Sequence, residues 1–113
     1  MKIYELLPKP DKNILFQRDR YLLIPKLSGC YVLVNTDNDI LYIGQATNFH
    51  QRFQQHLDNP EKAHPTREGI AWKFWYFEYD NKKLSYLENT WLQEFQQREG
   101  HLTILNKVQA PIG

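Results

Sequence analysis

Apolar positions along the chain change their period several times, and each change marks an element. From Cys30 to Asn35 β-branched and aromatic residues dominate, which predicts a strand with Tyr31 and Leu33 on one face and Cys30, Val32 and Val34 on the other. The polar cluster Thr36-Asp37-Asn38-Asp39 predicts a turn, and Ile40-Leu41-Tyr42-Ile43 a second strand, so the pair forms a β-hairpin ended by Gly44. Antiparallel pairing brings Tyr31 and Tyr42 near one another. Thr47 or Asn48 then caps a helix in which Phe49, Phe53 and Leu57 form an apolar stripe. Asn48, Arg52 and His56 form a polar stripe about 100° away around the same axis. Asp58-Asn59-Pro60 ends this helix.

Ala71 to Tyr79 is the strongest strand signal, with aromatics on both faces and hence burial on both sides. Residues 83–99 form the best helix, closed by Gly100, with Leu84, Leu87, Trp91 and Phe95 on one face. Glu88 falls among them. Between these elements, 61–69 reads as a charged loop or a short helix, and Leu102 to Asn106 as an extended segment that docks on the core. Upstream, Pro8 and Pro10 forbid a helix across that point, while a short helix from Asp11 would place Ile14, Leu15 and Arg18 at helical spacing. Residues 1–28 are read as an extension packing on a core domain of 29–113.

The length of 113 residues allows one domain with a real core. No apolar run of spanning length and no signal-peptide core occur, so no membrane role is expected. The single cysteine, Cys30, excludes an internal disulfide framework and fits a reducing, cytoplasmic compartment. Net charge is +1, weak support for a nucleic-acid partner, although residues 1–28 carry six Lys and Arg against three acidic residues. That surplus reads as ordinary solubilising surface or as a basic arm along a phosphate backbone.

Glu88 is the most informative single residue. A carboxylate on an apolar helix face has to be paired, protonated or bound to metal. Either it bridges to Arg52 or the tyrosines, or it ligates a hard divalent cation, for which one or two carboxylates suffice when water and substrate phosphate complete the shell. Arg52 is an ordinary solvated arginine or a phosphate clamp. Tyr31 and Tyr42 are core residues, or bases if a nearby cation lowers the phenol pKa. The histidines and Cys30 lack paired zinc-ligand spacing, and Gly44-Gln45-Ala46 lacks the lysine of a P-loop.

Taken together, these residues resemble the GIY-YIG nuclease family, a small catalytic domain of certain homing endonucleases, restriction enzymes and an excision-repair subunit. Gly29-Cys30-Tyr31 stands for the first triplet, with cysteine in place of an aliphatic residue, and Tyr42-Ile43-Gly44 matches the second. Arg52 lies ten residues past Tyr42, His56 follows, Glu88 sits on the later helix, and Asn106 matches a late supporting asparagine. His64 resembles a further histidine of some members, and Pro25-Lys26-Leu27-Ser28 resembles the usual lead-in. The resemblance spans about residues 29 to 107.

It implies an α+β fold with a three-stranded, mostly antiparallel sheet flanked by helices. It also implies hydrolysis of DNA phosphodiesters with Mg2+ or Mn2+ by a single-metal mechanism, in repair, restriction or a mobile element. Glu88 would hold the metal and Tyr31 would act as base on the attacking water or orient it. Tyr42 and His56 would support proton transfer, and Arg52 would stabilise the transition state. Gly29, Gly44, Asn48 and Asn106 would support the site. Specificity would come from dimerisation, a recruiting protein, or a branched or damaged DNA structure. Two other readings stand beside this one: an inactive nucleic-acid-binding or interaction module on the same fold, and a globular domain whose motif residues are merely structural.

Overall fold

The hairpin signal of the sequence nucleates the sheet. In a computed structural model, which describes residues 1–59 and 64–106, strand β2 (Gly29–Val34) pairs antiparallel with β3 (Ile40–Ala46). Strand β4 (Lys73–Glu78) pairs with the other side of β2, and β1 (Lys12–Leu15) pairs with β4. The order is β1-β4-β2-β3, antiparallel at every pairing. The sheet thus has four strands where three were expected. The extra one is β1, where the helical spacing of Ile14, Leu15 and Arg18 had suggested a helix. Its partner lies some sixty residues away, and such non-local pairing overrides local propensity. Arg18–Leu23, immediately after, forms a 3-10 helix.

Two helices cover the two faces. Helix α1 (Phe49–Asp58) lies over the face that carries Tyr31, Leu33, Tyr42 and Phe74, and it buries Phe49 and Phe53 there. Helix α2 (Leu84–Glu99) covers the other face, where Leu87, Trp91 and Phe95 pack on Cys30, Val32, Ile43 and Trp75. The aromatic run of β4 splits as alternation requires, Phe74 and Tyr76 to one cluster and Trp75 and Phe77 to the other. Asn48 caps α1 by accepting from the Gln51 amide at 3.1 Å, and α2 ends at Gly100, in the left-handed region with φ 81°.

Residues 1–28 contribute β1 to the sheet itself. Ile3 and Leu6 are fully buried beside α2, and Ile24 joins the α1 cluster. The basic surplus is partly spent within the chain: Lys2 pairs with Asp39 at 3.0 Å and Arg18 with Asp58 at 2.8 Å. The expected loop over 61–69 is described only from His64 onward, where Thr66 and Gly69 close a turn; the rest lies outside the described residues. Among the described residues, no helix is long and apolar enough to cross a membrane.

Two glycines are fixed by close approach. A Cβ on Gly29 would stand 2.0 Å from the Phe77 carbonyl oxygen and 2.5 Å from Phe49 Cζ. Since the first neighbour is backbone, β2 and β4 would have to separate. Gly29→Ala is therefore expected to destabilise the fold by about 1–3 kcal/mol, read as a lower midpoint in urea denaturation.

Candidate active site

Strand β3 carries the centre of the site. It was expected to stop at Gly44, but it continues to Ala46, with Gly44 paired opposite Tyr31. The glycine serves another purpose: a Cβ there would lie 2.8 Å from the Tyr31 ring, its hydroxyl and the Tyr42 ring. Removing the side chain lets both phenols fold over the strand. Their ring centroids are 6.0 Å apart, and Tyr31 also stacks on Phe74 at 4.8 Å.

Helix α1 brings the next two residues. Its polar stripe tilts so that His56 is buried and Arg52 half-buried. His56 Nε2 is 2.6 Å from the Tyr31 hydroxyl, and the imidazole lies edge-on to Tyr42 with centroids 5.8 Å apart. A positive guanidinium favours the phenolate of both tyrosines. Burial outweighs it: the Tyr31 phenol is held well above its usual 10.0, and the Tyr42 phenol is raised as well. The Glu88 carboxylate adds to the rise at Tyr42. The guanidinium by itself therefore does not make ready phenolates of these two tyrosines.

Glu88 arrives from the opposite face of the sheet. Because β3 is an edge strand, a side chain of α2 can reach around it toward residues on the α1 side. Glu88 is half-buried, and burial is the leading cause of its raised pKa, with Gln45 and Arg52 opposing. Gln45 Nε2 donates to Glu88 Oε1 at 3.4 Å. Among the described residues Glu88 forms no salt bridge, so the expected bridge to Arg52 is not made, although each feels the other's charge. The carboxylate keeps oxygen lone pairs for a ligand. No group of three or more His, Cys, Asp and Glu gathers among the described residues, so a cation here would take one protein carboxylate and complete its shell with water and substrate oxygens.

The open edge of β3 is closed by the chain's late segment. Asn106 Oδ1 accepts from the Ile43 amide at 3.0 Å while its Nδ2 donates to the Ile43 carbonyl at 3.1 Å. One side-chain amide thereby does the work of a paired strand residue. Thr103 Oγ1 donates to Asn106 Oδ1 and accepts from the Asn106 amide, and the Leu105 amide donates to the Leu41 carbonyl at 3.0 Å. The segment docks as expected but as a turn over 104–106, not as an extended strand.

The structure thus brings Tyr31, Tyr42, Arg52, His56 and Glu88 together around one strand. Asn48 stands as the α1 cap, Gly29 packs against β4, and His64 is exposed in its loop. Cys30 faces α2, away from Tyr31, its thiol pushed up to about 12 chiefly by burial. Gln45 and Thr103 were not singled out by the sequence. Alternation along β3 puts Gln45 on the face of Ile43, hence toward α2, and that signal could have found it. For Thr103 only its spacing of three before Asn106 hints at a turn.

Such a sheet, with two triplets on adjacent strands and a lone carboxylate across the edge, is the frame of a small nuclease domain. A family model of the GIY-YIG catalytic domain matches residues 27–101, and the chain belongs to that family. It is similar to UvrABC system protein C of Mycoplasma mycoides, 37% identical over 68 residues, covering 58% of this chain and 11% of that protein. Against the namesake from Mycoplasmoides gallisepticum identity is 44% over 39 residues, covering 34% of this chain and 7% of the relative. The chain therefore spans about a tenth or less of the length of these relatives. Among solved structures it is similar to the GIY-YIG N-terminal endonuclease domain of UvrC from Thermotoga maritima, a point mutant bound to its catalytic divalent cation. The TM-score is 0.51 at 20% identity, over 70% of this chain and 88% of that one, a likeness of fold.

Two outcomes follow from the geometry. Asn106→Ala strips both bonds from the Ile43 backbone and is expected to cost about 1–3 kcal/mol in chemical denaturation. Glu88 has a folded-state pKa above its ordinary 4.5, so the stability it contributes is present at low pH and lost as pH rises through the folded value. Melting profiles of wild type and Glu88→Gln should then coincide at acid pH and separate toward neutrality, the variant being the more stable.

Proposed function

We propose that the chain hydrolyses DNA phosphodiesters with the help of one divalent cation, Mg2+ or Mn2+, held by Glu88. The observation that carries this reading is the convergence at the β3 edge of an unbridged, half-buried carboxylate, a half-buried arginine and a buried phenol–imidazole pair. The carboxylate fits such a cation: its oxygens are hard donors, and only one weak hydrogen bond from Gln45 competes for them. A cation bound there would supply Lewis-acid stabilisation of a phosphoryl oxygen.

The chain's own residues do the rest. Arg52, carried on α1 and near enough for its charge to act on Tyr31, Tyr42 and Glu88, offers a guanidinium to the charge that develops on the phosphate. Tyr42 stands at the rim, 6% exposed, where it can orient the attacking water. Tyr31 lies fully buried behind it, so it does not touch bulk water. Its protonated hydroxyl acts as a relay, passing a proton to His56 Nε2 as it receives one from the side of Tyr42. Gln45 aims the Glu88 carboxylate, and Asn106 holds the peptide between Tyr42 and Gly44 in place.

The relatives' role within a UvrABC system supports a DNA substrate and a place in repair, with positioning on the lesion left to other domains or partner proteins. Glu88→Gln should abolish Mg2+-dependent nicking of DNA and also the rise in melting temperature that Mg2+ or Mn2+ gives the wild type, while the folded state persists. Arg52→Ala should lower kcat by about 100–1,000-fold. A wild-type protein that cleaves no single-stranded, duplex, flap or four-way DNA with either metal would refute the proposal.

A further inference from the structure

Beside Glu88 lies a groove of about 410 Å³ that the proposed chemistry leaves unused. It is lined by Tyr79, Lys82, Lys83, Ser85 and Tyr86. Ser85 sits one helical turn before Glu88 on the same side of α2, and its hydroxyl is 3.4 Å from Gln45 Nε2, the same nitrogen that meets Glu88. Ser85 thus links the groove to the Gln45–Glu88 contact. Lys82 and Lys83 are exposed, and among the described residues neither has a carboxylate within ion-pair distance. Tyr86 is 71% exposed, its ring packed against no other aromatic among the described residues, and it shares the groove with the half-buried Tyr79. One exposed tyrosine is ordinary. An exposed ring sharing a groove with two unpaired ammonium groups beside a phosphodiesterase centre has the chemistry of a nucleotide subsite.

The far side of Tyr79 has the opposite character. A second groove there, of about 570 Å³, is lined by Asp11, Glu78 and Asp80, and its one lysine, Lys12, lies 3.9 Å from Asp11. A phosphate backbone is repelled on that side and attracted on the other, so the strand has one direction to leave the site.

Resting on the nuclease reading above, we infer that the Lys82–Tyr86 groove holds an unpaired nucleotide flanking the scissile phosphate. Lys82 and Lys83 neutralise its backbone and Tyr86 stacks on its base. Stacking on a side chain needs a base free of its duplex partner. The preferred substrate is then DNA splayed near the cut, at a flap, gap or fork, over a continuous duplex.

The test uses the full chain carrying Glu88→Gln, so that binding is measured without cleavage, with fluorescently labelled forked DNA and blunt duplex of the same sequence. Tyr86→Ala should weaken binding to the fork about tenfold and leave the duplex unchanged. Lys82→Ala with Lys83→Ala should weaken both and reduce the slope of log affinity against log salt by about 1.4–1.8. Tyr86→Phe should bind like the parent, since the ring carries the stacking. Equal loss on fork and duplex from Tyr86→Ala, or no loss from any variant, overturns the subsite. Cleavage by the otherwise wild-type chain separates the two claims. A chain that cuts DNA with groove variants of unchanged affinity loses only the subsite, one that binds forks through the groove but never cuts loses only the nuclease reading, and one that binds no DNA loses both.

Discussion

The molecule depends on β3 being an edge strand that is nevertheless closed. An interior strand would wall off the two faces of the sheet, and a carboxylate on α2 could never meet a phenol packed under α1. An open edge would leave the Leu41 and Ile43 backbone groups unpaired and the strand free to fray or to pair with another chain. The turn at 103–106 resolves this conflict. Asn106 satisfies Ile43 with one side chain, and Leu105 takes the Leu41 carbonyl, so the edge is sealed over a few residues without a fifth strand. What remains beyond Ile43, from Gly44 to Ala46, is where Gln45 turns toward Glu88.

The packing of the tyrosines depends on the same strand. Gly44 lacks a Cβ where Tyr31 and Tyr42 need room, and their rings then complete the core on the α1 side together with Phe74, Phe49 and Phe53. Core membership has a chemical consequence. For this phenol, wholly removed from water, burial outweighs the nearby guanidinium, and the role proposed for Tyr31 is accordingly that of a relay. Its 2.6 Å approach to His56 gives the proton somewhere to go without creating an isolated phenolate in the core. In the proposed reaction, packing and proton handling would then rest on the same arrangement of Tyr31 and His56.

Much of this was readable in the residue pattern, and the exceptions have physical causes. Alternation in Cys30 to Asn35 assigned Tyr31 and Cys30 to opposite faces, and helical spacing put Leu84, Leu87, Trp91 and Phe95 inward with Glu88 beside them; all of these are local periodicities. The turn cluster Thr36-Asp37-Asn38-Asp39 between two apolar runs placed the triplets on a hairpin. Strand β1 escaped because Lys12-Asn13-Ile14-Leu15 is short and its partner β4 is remote in sequence. Gly44 was misread as a terminator because glycine signals a missing side chain without saying whether the backbone turns or a neighbour needs the space. The direction of the phenol pKa values stayed open in the sequence, because core burial and the charge of Arg52 act against each other and only the assembled fold sets their balance.

The relation between Arg52 and Glu88 is the remaining step. Two opposite charges, both half-buried and both acting on Tyr42, ordinarily close into a salt bridge, which would repay part of their desolvation. Here they do not, and burial, opposed by Gln45 and by the charge of Arg52, leaves the carboxylate with a raised pKa. Their scaffolds explain the separation: one residue rises from α1 on one face, the other reaches from α2 around β3, and Gln45 meets the carboxylate between them. A folded protein gains nothing from holding such a pair apart. In the proposed reaction a phosphodiester would meet the Arg52 guanidinium and the Glu88 carboxylate would hold a divalent cation, so each charge would gain a partner there. The carboxylate, left without an ion-pair partner among the described residues, is the group that the cation would neutralise.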